Sequence, residues 1–106
     1  MSLTKKYKLT VLARIQRDPL FAKSLYAEAI NAILEGEIDE GLSMLRDLVH
    51  AKISFKELAR ETGFGEKTLH RMLGHRGNPT AKSLATIIHA IQDNSGWKPR
   101  VTIAAA

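Results

Sequence analysis

The sequence predicts an all-α domain of several packed helices closed by a short C-terminal strand, and three observations carry that expectation. Apolar residues recur at helical spacing in nearly every segment up to Gln92. Helix-start and helix-stop residues stand where that periodicity begins and ends. Alternation of strand type is confined to the last few residues, and 106 residues suit one domain with its own core.

The elements follow in order. Thr4 is placed to cap a first helix with the stripe Val11, Leu12 and Ile15. Asp18-Pro19 reads as an N-cap followed by proline at the first helical position, where its missing N–H costs nothing. This second helix reaches about Leu34, with Phe21, Leu25, Ala29, Ala32 and Ile33 on its apolar face, and Gly36 closes it. A third helix sets Ile38, Leu42, Leu45 and Val49 on one side. Ser54-Phe55-Lys56-Glu57 then has the form of a capping box, and two short helices flank Thr62-Gly63-Phe64-Gly65. The loop Gly74-His75-Arg76-Gly77-Asn78-Pro79 leads to Thr80, the cap of a last helix that carries Leu84, Ile87, Ile88 and Ile91 inward and stops at Asn94-Ser95-Gly96. Arg100 to Ile103 alternates polar and apolar, which predicts a terminal strand that needs a partner.

Composition excludes several classes of function. No apolar run approaches the roughly 20 residues of a membrane span, and the basic start is interrupted by Arg14, Gln16, Arg17 and Asp18 before a secretory apolar core forms, so a cytoplasmic protein is expected. The absence of cysteine removes disulfides, thiolate metal sites and thiol catalysis. His50, His70, His75 and His89 include no i, i+4 pair and no accompanying carboxylate cluster, so neither a metal nor another cofactor is expected. No strained Gly-x-Ser-x-Gly turn, HExxH motif or phosphate-binding glycine loop occurs, and the expectation is a protein that is not an enzyme. The formal charge of +5 favours polyanions, but it bears on function only if the cations lie where a motif would use them.

Residues 53–73 meet several separate steric demands of a helix-turn-helix. Ala59 is small where two steeply crossing axes approach, and Gly63 tolerates the positive φ of the turn. Leu58, Leu69, Met72 and Leu73 point into a shared core, which leaves Glu66, Lys67, Thr68, His70 and Arg71 outward.

With Ile53-Ser54, Glu57-Leu58-Ala59, Thr62-Gly63-Phe64 and Gly77-Asn78-Pro79-Thr80 followed by Leu84, the chain resembles the phage-repressor-like family of helix-turn-helix regulators over residues 53 to about 92. Leu69-His70-Arg71-Met72-Leu73 together with Gly77-Asn78-Pro79-Thr80 is more specifically similar to the antidote (antitoxin) proteins of bacterial toxin-antitoxin addiction modules. The resemblance implies binding of double-stranded DNA as a homodimer, autorepression of the toxin-antitoxin operon and a small toxin protein as partner. It also divides the single domain into an N-terminal helical extension, residues 1–52, a repressor-like core, residues 53–93, and a tail or strand, residues 94–106.

The expected DNA-binding residues are carried over position by position. Lys67 and Arg71 lead, because a guanidinium suits bidentate contact with guanine while Lys67 and Thr68 suit bases or phosphates. His70 shares their face. Ser54 stands at a helix start with Lys56 beside it, and Arg76 follows in the next loop, all three as phosphate contacts. Glu66 stands where relatives commonly carry Gln or Ser; of reading cytosine and complementing the helix dipole, the second is preferred. The alternative function, of another class, is a protein-binding inhibitor of a toxin with little DNA binding of its own.

Overall fold

The computed structural model describes the backbone of residues 2–106 and side chains from residue 5 onward. Among the described residues six α-helices follow one another: α1 Ser2–Arg17, α2 Pro19–Leu34, α3 Ile38–Leu48, α4 Phe55–Thr62, α5 Glu66–Met72 and α6 Ala81–Ser95, with a π-helical turn at Val49–Ile53 joining α3 to α4. The chain is therefore an all-α multi-helix domain. Among the described residues there is no strand, and Val101 and Ile103 are 66% and 89% exposed, so the expected terminal strand is absent. The physical cause is that a single extended segment has no ladder to join.

Local signals place most boundaries. Asp18 accepts a hydrogen bond from the Phe21 amide at 3.1 Å, and Pro19 opens α2. At its other end the Glu37 and Gly36 amides donate to the Ala32 and Ile33 carbonyls at 2.8 and 3.1 Å, the paired bonds of a Schellman motif. Thr80 caps α6 by accepting from the Ser83 amide at 3.0 Å. The first helix begins at Ser2, so Thr4 lies inside it rather than at its cap position, and the Thr4 side chain is outside the described residues.

Packing decides what the local signals leave open. One cluster of buried side chains runs from Ile15 through Leu42, Leu45, Leu48 and Val49 to Phe55, Leu58, Leu69, Leu73, Ile87 and Ile91, and thus joins residues on both sides of the expected 52/53 division, which falls at the end of the π turn. The buried face of α2 is Ala22, Tyr26, Ala29 and Ala32, rotated from the expected one. Phe21, Leu25 and Ile33 sit only partly buried at its margin because Tyr26 takes the central place. Ile38, expected inward, is 38% exposed as the first residue of α3. Ile88 is half-buried beside the fully buried Ile87 and Ile91. Lys8 binds both carboxylate oxygens of Asp47 at 2.8 and 2.7 Å and so fixes α1 to α3.

The tightest approach lies between α2 and α3. Gly41 is buried, and a Cβ placed on it would stand 2.6 Å from Ile33 Cγ1 and 2.9 Å from the Ala29 carbonyl oxygen. A side-chain carbon can rotate away, but a helical carbonyl cannot without moving its helix. Gly41→Ala gains about 0.5–1 kcal/mol of helix propensity, against roughly 1–3 kcal/mol for overpacking a tight core. The expected outcome is net destabilisation, seen as a melting temperature several degrees below wild type by circular dichroism. An unchanged or raised melting temperature would mean that α2 and α3 are not held this close.

Candidate nucleic-acid interface

The segment that positions α4 and α5 begins with an irregularity. The Ser54 amide donates to the Val49 carbonyl at 2.8 Å, a five-residue step that ends the π turn, and Ser54 adopts φ 102 and ψ 148. That backbone region favours glycine and costs a serine on the order of 1–3 kcal/mol. Ser54 is held there from both sides, because its Oγ also accepts from the Glu57 amide at 3.1 Å and caps α4. Only half of the expected capping box forms. The Ser54 amide is taken by Val49, and the Glu57 carboxylate turns instead to the Arg60 guanidinium.

The turn between α4 and α5 is fixed by short-range bonds. Gly63 has φ 82, a conformation that a side chain would strain, and its amide donates to the Ala59 carbonyl at 2.9 Å. Thr62 Oγ1 donates to the Leu58 carbonyl at 2.8 Å and accepts from the Phe64 amide at 3.2 Å. Beyond α5 the chain folds back on itself: a Cβ at Gly77 would collide with the Met72 carbonyl.

Leu58, Leu69 and Leu73 are completely buried and hold the inner face of this pair of helices, with Phe55 only 6% exposed. Ser54, Lys56, Glu66, Lys67, His70, Arg71 and Arg76 are exposed and Thr68 is half-buried. The expected site residues thus lie at the α4 start, along α5 and in the loop after it. His70 has a further contact that sequence reading missed: its ring stacks on Phe55, with centroids 3.8 Å apart and planes 19° from parallel. The stack links α5 to the first residue of α4.

The electrostatics separate engaged cations from free ones. Lys8, Arg14 and Arg60 pair with Asp47, Asp18 and Glu57, and Arg14 also lies 4.1 Å over the Phe21 ring. Among the described residues no carboxylate pairs with Lys56, Lys67, Arg71 or Arg76. Residues 48–106 carry nine basic and four acidic side chains, whereas residues 28–47 carry six acidic and one basic. The positive field therefore belongs to α4–α6 and the tail, the negative one to α2 and α3. His89 lies 3.5 Å from Asp93, and among the described residues no three potential metal ligands gather. No helix of the described residues is long and apolar enough to cross a membrane. In comparison with known proteins, no family model, no curated protein and no solved structure matches the chain.

The stack yields a direct test of how α5 is held. His70→Ala is expected to lower the urea midpoint by the equivalent of about 0.5–1.5 kcal/mol, the contribution of a well-placed aromatic pair. His70→Phe is expected to retain it. Equal midpoints for wild type and His70→Ala would show that the ring contributes nothing to the α4–α5 arrangement.

Proposed function

We propose that this protein is a sequence-specific DNA-binding transcriptional regulator that acts through α4 and α5. The observation that carries the reading is the α5 surface: Lys67 and Arg71 stand exposed and, among the described residues, without carboxylate partners, while Leu69 and Leu73 anchor the same helix from behind. Such a helix presents cations and hydrogen-bond donors to a major groove while its core side chains stay buried. Lys56 and Arg76 flank it at the α4 start and in the following loop and serve as phosphate contacts, and Ser54 is the cap beside them. Glu66, in the first turn of α5, complements the helix dipole. His70, stacked on Phe55, positions α5 rather than reading a base.

The resemblance carried by Leu69–Leu73 and Gly77-Asn78-Pro79-Thr80 supports a finer reading, an antidote that represses its own toxin-antitoxin operon and binds a small toxin protein in the cytoplasm. A homodimer is part of the same proposal, supported by the exposed apolar Val101 and Ile103 and by the small footprint of a seven-residue α5. Sedimentation equilibrium over a wide concentration range is expected to give a dimer mass; a monomer mass at every concentration, with and without DNA, would remove this part.

Two substitutions separate the roles within the interface. Arg71→Ala is expected to cost about 1–3 kcal/mol on the cognate duplex and to relax preference at one base pair per half-site. Lys56→Ala is expected to weaken cognate and scrambled duplexes alike and to reduce the logarithmic salt slope by about one for each phosphate that Lys56 neutralises. Binding titrations at several fixed salt concentrations, with helicity checked by circular dichroism, read both. A folded Arg71→Ala variant that keeps the full cognate-to-scrambled ratio would take base reading away from Arg71, and no salt-sensitive duplex binding by wild type would overturn the regulator itself.

A further inference from the structure

A second surface feature lies away from α4 and α5, where the chain leaving α6 crosses α2. Gly96 closes α6 with φ 78, and its amide donates to the Gln92 carbonyl at 2.7 Å. Ser95 Oγ donates to the Ile91 carbonyl at 2.7 Å and accepts from the Trp97 amide at 3.1 Å, so the direction of the chain past Gly96 is set by local bonds. Trp97 is thereby placed against Tyr26 of α2, ring centroids 6.4 Å apart and planes 35° from parallel. Between α2 and residues 96–100 a cavity of about 360 Å³ remains open.

Its chemistry is one-sided. Trp97, Ile30 and Pro99 line its apolar side, with Tyr26 only 3% exposed there, while Lys23, Lys98 and Arg100 supply three cations and Asn31 adds an amide. Among the described residues no acidic side chain lines the cavity and none of the three cations has a carboxylate partner. The Tyr26 hydroxyl reaches only the Ile88 carbonyl, at 3.5 Å, beyond good hydrogen-bond length, and burial pushes its pKa up to about 12, so it remains a donor at neutral pH. Apolar walls with a few convergent polar groups are the usual make-up of a ligand site, and this volume falls at the small end of the roughly 300–1,000 Å³ such sites occupy.

We infer that the cavity between α2 and residues 96–100 binds a small aromatic carboxylate, its ring against Trp97 and Ile30 and its charge among Lys23, Lys98 and Arg100. Occupancy there would fix the stretch that leads directly into Val101 and Ile103. The ligand thus has a physical route to the tail without touching α5.

Trp97 is the single tryptophan of the chain, so its fluorescence reports on the site directly. The full-length protein is titrated at constant ionic strength with phenylacetate, with the uncharged isostere phenylacetamide and with acetate, which lacks the ring. A saturable change with phenylacetate, at least about tenfold weaker with phenylacetamide and absent with acetate, is the expected result. The double variant Lys23→Gln/Arg100→Gln, altered only at exposed positions, is expected to keep its helicity and to weaken phenylacetate about tenfold or more. No saturable change with phenylacetate, equal binding of acid and amide, or an unchanged affinity in the folded double variant would each overturn the inference. So would saturation by an acidic peptide alone, which would make the cavity a protein-docking groove.

Discussion

The rest of the structure depends on how closely α2 and α3 can lie. Gly41 has no side chain to hold the Ala29 carbonyl and Ile33 away, and Ala22, Ala29 and Ala32 keep the facing side of α2 equally low. With the two helices in contact, Leu42, Leu45 and Leu48 enter the common core, and Asp47 is left at the surface where Lys8 of α1 can bind it. Val49 then carries the same buried face past the end of α3. From there a single π turn and the strained Ser54 redirect the chain, so the place of α4, and through it of α5, is inherited from a contact made by small residues earlier in the sequence.

How much of this was legible in the sequence follows the range of the interaction concerned. Asp18, Gly36, Gly63, Thr80 and Gly96 sit at helix ends as expected, because a cap or a left-handed turn is decided within a few residues. The buried Leu58, Leu69 and Leu73 and the exposed Lys67 and Arg71 were equally readable from helical spacing. What periodicity could not supply was the choice between neighbouring faces, hence Tyr26 rather than Leu25 at the centre of α2. Nor could it supply the partner a group selects when two are in reach, hence the Ser54 amide on Val49 and Glu57 on Arg60. The Phe55–His70 stack joins two helices and leaves no trace in either one alone. Gly41 did leave one, since glycine inside a helix argues for a close approach.

Charge is distributed by the same economy of contacts. The cations of α1 that touch acids serve the fold: Lys8 ties α1 to α3, and Arg14 braces the α1–α2 corner against Asp18 and Phe21. Those around α5 are left to solvent, and the acids of residues 28–47 are kept on other helices. The α5 surface therefore carries no carboxylate beyond Glu66, and the charges of Lys56, Lys67, Arg71 and Arg76 are balanced by ions in solution rather than by groups among the described residues.

The π turn at Val49–Ile53 lets the chain carry one residue more between α3 and α4 than an uninterrupted α-helical turn would hold. One residue corresponds to about 100° of rotation around an α-helix axis, but the wider π turn spreads five residues over nearly the angle that four take in an α-helix, so the surplus residue is absorbed within the turn and the chain reaches Ser54 with little change of phase. His50 and Lys52 stand exposed on that turn, and the buried side that Leu48 and Val49 present is left undisturbed.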